Sequence, residues 1–257
     1  MTQENINALV LEKLHEIELT HNVTILHAAE SGSRAWGFAS TDSDYDVRFI
    51  YKHELHEYLR LNRNNDVITL PINDIWDLSG WDLDKTLRLL CKSNPSLYEW
   101  FSSPICYLRT DFADRIKPLL TEYFSVERMI FHYLSMARNN IRNYLLGETI
   151  KPKKYFYMLR PILACFWVFE FKTNPPVPFS ELVDKILPHE LKSKIDDLLE
   201  IKINTPEKNE IEHIYELDDF LTESAEKIHE ALQKLPKDRG RSWEDLNKFF
   251  ASEIISS

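Results

Sequence analysis

The chain has 257 residues, of which 44% are hydrophobic and 28% are charged, and its formal net charge is −10. No apolar run approaches the length of a membrane span, and the acidic balance argues against a general nucleic-acid coat protein. The N-terminus is polar, and Cys91, Cys106 and Cys165 lack metal-ligand spacing. We therefore expect a cytoplasmic protein with reduced thiols and no membrane partner.

The first predicted elements are a helix and two strands. Residues 3–20 place apolar side chains at helical spacing, with charged residues between them. Residues 23–29 form a short, β-branched apolar run that is typical of a buried strand. A second such run predicts a strand over residues 45–52, and the loop between the two strands holds the polar residues of greatest interest.

Two polar pairs point to a phosphate and metal site. Asp44 and Asp46 are two residues apart, so they project to the same face of an extended strand. Neighbouring carboxylates repel unless a cation lies between them, and Mg²⁺ prefers such hard oxygen ligands. Gly32 would let the backbone approach a phosphate closely, and the Ser33 hydroxyl could donate to its oxygens.

An ordinary surface turn is the alternative interpretation of this loop. The residues at 41–44, Thr-Asp-Ser-Asp, have good turn chemistry because their side chains can hydrogen-bond to nearby backbone groups. Neither the Gly-Ser pair nor the Asp-x-Asp pair is specific by itself. Their combination at this spacing, between two predicted strands, favours the phosphate and metal site.

The segments SGSRAWGFAS at 31–40 and DYDVRFIY at 44–51 resemble the DNA polymerase β-like nucleotidyltransferase superfamily. They are most similar to its RNA-repair-associated group of predicted nucleotidyltransferases from bacteria and phages. The resemblance is best over residues 23–172. It implies transfer of an NMP from an NTP to an acceptor hydroxyl at an RNA or tRNA end, with Mg²⁺ or Mn²⁺. A protein acceptor, or a binding module without turnover, remains an alternative.

The resemblance also implies roles for individual residues. Gly32, Ser33 and Arg34 would bind the nucleotide, and Asp44 and Asp46 would be catalytic metal ligands. In such enzymes one metal ion stabilises the triphosphate and a second activates the attacking hydroxyl, which calls for a third carboxylate.

Four aspartates are candidates for the third carboxylate: Asp74, Asp77, Asp82 and Asp84. They lie around two predicted short strands, 67–70 and 75–78, which are followed by a break at Gly80 and a helix from Leu83. Asp77 alone has apolar neighbours on a strand, and the resemblance places the third acid there. Asp77 is therefore the predicted catalytic and metal-binding residue, with Asp82 second, although a helix N-cap role explains Asp82 well.

Beyond residue 110 the sequence predicts only helices, at 110–122, 125–147, 153–172, 180–203 and 206–235, and a last amphipathic helix that packs on them. We therefore predict an α+β fold. A small mixed-sheet catalytic domain at 1–110, which the resemblance identifies with a polymerase β-like palm, precedes an all-helical domain at 111–257.

The middle of the chain is basic. Residues 111–172 carry ten Lys and Arg against six Asp and Glu, between two acidic segments. The resemblance implies nucleotide contacts from the start of the helix predicted at 153–172, namely from Lys153, Lys154, Tyr157 and Arg160. The alternative is a solvated basic helix start whose aromatic residues Tyr155 and Phe156 belong to the core.

Overall fold

A computed structural model describes residues 2–40, 43–62, 64–71, 75–204, 209–238 and 240–255. The chain folds into two compact units. The first unit comprises Met1–Ala35, Asp44–Tyr123 and Gly240–Ser257, and the second comprises Trp36–Ser43 and Phe124–Arg239. The predicted division into domains at 1–110 and 111–257 stays a prediction.

A five-stranded mixed sheet forms the centre of the first unit. Its strands are β1 (Val23–Glu30), β2 (Tyr45–His53), β3 (Val67–Thr69), β4 (Trp76–Asp82) and β5 (Cys106–Arg109). They lie in the order β3-β4-β2-β1-β5, with β2 and β4 parallel and the other pairs antiparallel. This mixed sheet confirms the predicted α+β class. Strand β5 was not predicted from the sequence.

Strand β4 continues through Gly80, where the sequence analysis predicted a break. Gly80 pairs with Phe49 on β2. A Cβ atom at residue 80 would lie 2.1 Å from the Phe49 ring. The glycine therefore makes room for an aromatic ring on the neighbouring strand and does not end the strand. The predicted break was wrong.

Six helices precede the chain's long helical segment: α1 (Gln3–His21), α2 (Gly32–Trp36), α3 (Leu55–Tyr58), α4 (Leu83–Cys91), α5 (Pro95–Ser102) and α6 (Phe112–Glu122). Helix α5 begins with Asn94 as its N-cap and Pro95 in its first turn, a sequence pattern that is typical of a helix start. Helix α1 buries a stripe of apolar side chains in the same core cluster as the sheet. This helix therefore covers apolar residues of the strands, as its helical spacing requires.

The second unit is helical, with α7 (Val126–Tyr144), α8 (Pro152–Phe171), α9 (Phe179–Ile186), α10 (Lys192–Asn204) and α11 (Tyr215–Gln233). The predicted helix 180–203 is interrupted at Pro188 by a short 3-10 turn, since proline lacks an amide hydrogen and crowds the preceding turn. Two-residue strands β6 (Thr149–Ile150) and β7 (Ile211–Glu212) pair with each other. The prediction of one helix over 180–203 was therefore wrong, and so was the prediction of helix over residues 209–214. Residues 205–208 lie outside the described residues.

The last helix, α12 (Glu244–Ile255), belongs to the first unit. Its Glu253 carboxylate accepts hydrogen bonds of 2.6 and 2.8 Å from Arg115 on α6, and the Glu253 carbonyl oxygen accepts one from Lys52 on β2. The expectation that this helix packs on the helices beyond residue 110 is confirmed only for α6, because α12 also contacts β2 and α4 of the first unit. Amphipathic spacing shows that a helix buries one face, but not which surface covers it. No helix in the described part of the chain is long and apolar enough to cross a membrane.

Candidate active site

The turn after β1 brings Gly32 against the side chain of Asp46. The Ser31 amide donates to the Asp46 carbonyl oxygen at 2.9 Å, which holds the turn beside the start of β2. Gly32 has a φ of +60°, and a Cβ atom there would lie 2.0 Å from Asp46 Oδ2. Glycine is therefore required at this position for its backbone conformation and for the space it leaves to a carboxylate.

Asp46 and Asp77 are lateral neighbours in the sheet. Strands β2 and β4 are parallel, and their register pairs Asp46 with Asp77. Residues paired in this way project to the same face, so both carboxylates lie side by side there. The two side chains are 21% and 19% exposed, which leaves them accessible to a ligand.

Arg48 joins these two carboxylates. Its Nη2 donates to Asp46 Oδ1 and to Asp77 Oδ2, each at 2.7 Å, and its Nη1 donates to the Asp77 carbonyl oxygen at 2.8 Å. Arg48 lies two residues beyond Asp46 on the same strand, which is why its side chain reaches the same face. The sequence analysis missed this contact, although the spacing of two residues from Asp46 was a visible signal.

Asp44 lies just before β2 and is held through its backbone. Arg34 donates from Nε to the Asp44 carbonyl oxygen at 2.9 Å, and the Arg34 guanidinium lies 3.8 Å from the ring centre of Tyr45. Residues 41 and 42, which belong to the alternative turn interpretation, lie outside the described residues. Ser33 lies on α2 and is partly buried.

Burial and like charge raise the pKa of Asp46 to about 6. Desolvation is the main cause, and the negative charges of Asp44 and Asp77 add to it, whereas Arg48 lowers the pKa. The charges of Asp44 and Asp77 therefore both act on the carboxylate of Asp46. Within the described ranges, however, no group of three or more His, Cys, Asp or Glu side chains is arranged to hold a metal ion.

Glu30 holds the backbone of Asp46 in place. It is buried at the end of β1, and its Oε1 accepts a hydrogen bond of 2.8 Å from the Asp46 amide. The Tyr107 hydroxyl of β5 donates to Glu30 Oε2. Burial raises the pKa of Glu30 to about 7. The sequence analysis gave Glu30 no role, although an acid that ends an apolar strand was a signal; nothing local marked Tyr107.

The other described candidates for the third carboxylate, Asp82 and Asp84, lie apart from Asp46. Asp82 is paired with Tyr51 in the sheet register and is the N-cap of α4, where it accepts the Asp84 amide at 2.7 Å. This is the role that the alternative interpretation assigned to it. Asp84 pairs with Arg88 at 2.9 Å, and Asp74 lies outside the described residues. Among the described candidates, Asp77 is the one that the structure brings to Asp46.

The predicted nucleotide contacts of the helical part all lie on α8, in the second unit. Lys154 Nζ lies 4.0 Å from the ring centre of Tyr144. Tyr157 packs edge-on against Trp36 at 5.9 Å, and the buried Arg160 guanidinium lies 4.7 Å from the same indole. Lys153, which precedes Lys154 on α8, is partly buried. Their role in nucleotide binding stays a prediction.

Comparison with known proteins places this geometry in a family. Residues 6–252 match the model of the RNA repair pathway DNA polymerase beta family. The chain therefore belongs to this family of polymerase β-like nucleotidyltransferases, and the predicted resemblance is confirmed.

Two proteins illustrate the relationship. The chain is 42% identical over 247 residues to the uncharacterized protein YcgL of Bacillus subtilis (strain 168), covering 95% of each chain. A crystal structure of a nucleotidyltransferase-like protein from Exiguobacterium sibiricum 255-15 is 15% identical, with a TM-score of 0.29, over 82% of this chain and 69% of that one. The family assignment rests on the sequence matches.

Proposed function

We propose that the protein transfers an NMP from an NTP to an acceptor hydroxyl at an RNA or tRNA end and releases pyrophosphate. The observation that carries this proposal is the lateral pairing of Asp46 with Asp77 beside the Gly32 turn, in a chain that belongs to a polymerase β-like family. The RNA acceptor is favoured because the family is one of RNA repair.

The donor set fits a divalent cation. Asp44 and Asp46 supply hard oxygen ligands beside the turn proposed to hold the triphosphate, and the pKa of Asp46 is raised mainly by burial and further by the charges of Asp44 and Asp77. Mg²⁺ or Mn²⁺, when bound, would stabilise the charge that develops on the phosphates.

The chain's own residues would position the reactants. The Gly32 backbone and the Ser33 hydroxyl contact the triphosphate, and the Glu30 carboxylate fixes the Asp46 backbone through its amide. A bond forms between the acceptor oxygen and the α-phosphorus as the bond to the β-phosphate breaks. Asp77 is the carboxylate proposed to take the hydroxyl proton.

A second candidate is a nucleotide-binding module without turnover. It is favoured by one observation, the Arg48 guanidinium that already pairs Asp46 with Asp77. A protein hydroxyl as the acceptor is a variant of the first proposal, and the same experiment distinguishes all three.

The test is transfer of label from each α-labelled NTP, with Mg²⁺ or Mn²⁺, into separate RNA and protein fractions. The Asp44→Asn/Asp46→Asn variant removes the proposed metal ligands. The matched control is Asp66→Asn, a carboxylate of the same unit that is 56% exposed and pairs with Lys85.

Label in RNA from the wild type and the control, but not from the double variant, is the expected result. Label in protein alone would identify a protein acceptor. No transfer to either fraction, while the folded protein still binds an NTP, would contradict the enzymatic proposal and favour the binding module.

A further inference from the structure

Arg48 lies where a second metal ion was expected. Its Nη2 is 2.7 Å from one oxygen of Asp46 and 2.7 Å from one oxygen of Asp77. These are the distances of charge-assisted hydrogen bonds. The side chain is 18% exposed and is further held by the Asp77 carbonyl oxygen at 2.8 Å. The position between the two carboxylates is thus filled by a cation that the chain itself provides.

The two oxygens of Asp46 face different groups. Oδ1 accepts from Arg48, whereas Oδ2 points to the Gly32 backbone. The oxygen beside the turn therefore remains directed at the place proposed for the triphosphate. The oxygen on the other side is already committed to the guanidinium.

The pairing of Arg48 disfavours a second ion between Asp46 and Asp77. The guanidinium already contacts both carboxylates there. A second ion between Asp46 and Asp77 would have to displace the guanidinium or lie against a like charge.

We infer that Arg48 is a built-in cation that replaces the second metal ion, so that the site holds one divalent ion, on the Asp44 and Asp46 side. Arg48 is then a positioning residue, which keeps Asp77 oriented without a second metal. The inference rests on the proposed function, since it assumes that the Gly32 turn and the aspartates bind a metal–nucleotide complex.

The experiment counts bound Mn²⁺ ions by native mass spectrometry, with Mn²⁺ and α,β-methylene-ATP as the probes. The wild type is compared with Arg48→Gln, which removes the cation, and with Arg48→Lys, which keeps one. Arg88→Gln is the matched control, because Arg88 pairs with the helix residue Asp84. Circular dichroism verifies that each variant is folded.

One ion per chain in the wild type, Arg48→Lys and Arg88→Gln, and two in Arg48→Gln, is the expected result. Two ions in the wild type would overturn the inference and leave the proposed function standing, and this count does not depend on whether any variant folds. A single ion in folded Arg48→Gln would also overturn it. A wild type that binds neither Mn²⁺ nor the nucleotide analogue would instead contradict the proposed function, and the inference with it.

Discussion

Gly32 meets two requirements at one position of the candidate site. Its φ of +60° is costly for any residue with a Cβ atom, and the space that a Cβ atom would need is taken by Asp46 Oδ2, 2.0 Å away. Gly37, five residues later, has a φ of +88° but no atom within 4 Å of such a Cβ. A substitution at Gly37 therefore introduces backbone strain alone, whereas one at Gly32 introduces strain and a contact with the Asp46 carboxylate.

Gly32→Ala should abolish transfer, because the new methyl group must displace the Asp46 carboxylate. A displacement of about 1 Å at a catalytic group can reduce the rate on the order of 100-fold. We expect its free energy of unfolding to fall by about 2–4 kcal/mol, from strain and overpacking together. Gly37→Ala should cost only about 1 kcal/mol, since it adds strain alone. Urea unfolding and labelled-NTP transfer measure both effects.

Equal losses of transfer in the two alanine variants would count against a special role for the Gly32 contact. Full activity in Gly32→Ala would show that the carboxylate of Asp46 can move without consequence, which contradicts the proposed site.

At the scale of elements, the junction of β4 and α4 is organised by Asp82. Its side chain is 5% exposed and caps α4 by accepting a hydrogen bond from the Asp84 amide. It also accepts a hydrogen bond of 3.1 Å from the Tyr58 hydroxyl. Burial is the main cause that raises the pKa of Asp82 to about 6, and the charges of Asp84 and Asp66 raise it further. His53 Nε2 lies 3.8 Å from the carboxylate, but burial lowers the pKa of this histidine.

This shift predicts a pH-dependent stability. In the unfolded chain the Asp82 pKa is near its ordinary value of about 3.9, so the folded state binds the proton more tightly. The stabilisation of the folded state by protonated Asp82 is fully present below pH of about 4 and is lost as pH rises through about 6. Its upper limit is roughly 3 kcal/mol for a shift of two pKa units. Asp82→Asn should remove this component, because its amide keeps the cap but does not titrate. Urea unfolding between pH 4 and 7 measures it.

The difference in the free energy of unfolding between Asp82→Asn and the wild type should therefore increase with pH across this window. Parallel curves for the two proteins would show that Asp82 does not retain its proton in the folded state. Asp114→Asn, which changes an exposed ion pair with Arg109, is the control.

For the whole molecule, the C-terminal helix completes the first unit over a long separation in the chain. Glu253 is buried and accepts two hydrogen bonds from Arg115, which lies 138 residues earlier. Closing such a long loop costs entropy, so the contact must be stabilised by specific pairing and burial. The first unit therefore depends on the last turns of α12.

Glu253→Gln should lower the free energy of unfolding by about 1–2 kcal/mol. Charge-assisted hydrogen bonds contribute roughly 1.5–3 kcal/mol, and the lower end applies because the Arg115 side chain is 51% exposed. Glu244→Gln on the same helix is the control, since the Glu244 side chain is 71% exposed and pairs with Lys248. Chemical denaturation of both variants gives the comparison, and equal stabilities would contradict the proposed importance of Glu253.

The sequence by itself determined the family, the fold class and most of the element positions. Strand and helix periods are local, so β1, β2 and the start of α5 could be predicted from neighbouring residues. The same local spacing predicted one site for Asp44 and Asp46, which stays a prediction. The local pattern gave a wrong prediction at Gly80, where the Phe49 ring of the partner strand occupies the space beside the glycine. It was also wrong at Pro188, where a 3-10 turn interrupts the predicted helix.

Only the tertiary structure decided which residues surround Asp46. Arg48 joins it to Asp77 because β2 and β4 are paired in one register, and Tyr107 reaches Glu30 from a strand 77 residues later. The surface that covers α12 was likewise decided by Arg115 and Lys52. Such contacts depend on the lateral order of strands and on long-range packing, and a local pattern in one sequence carries neither.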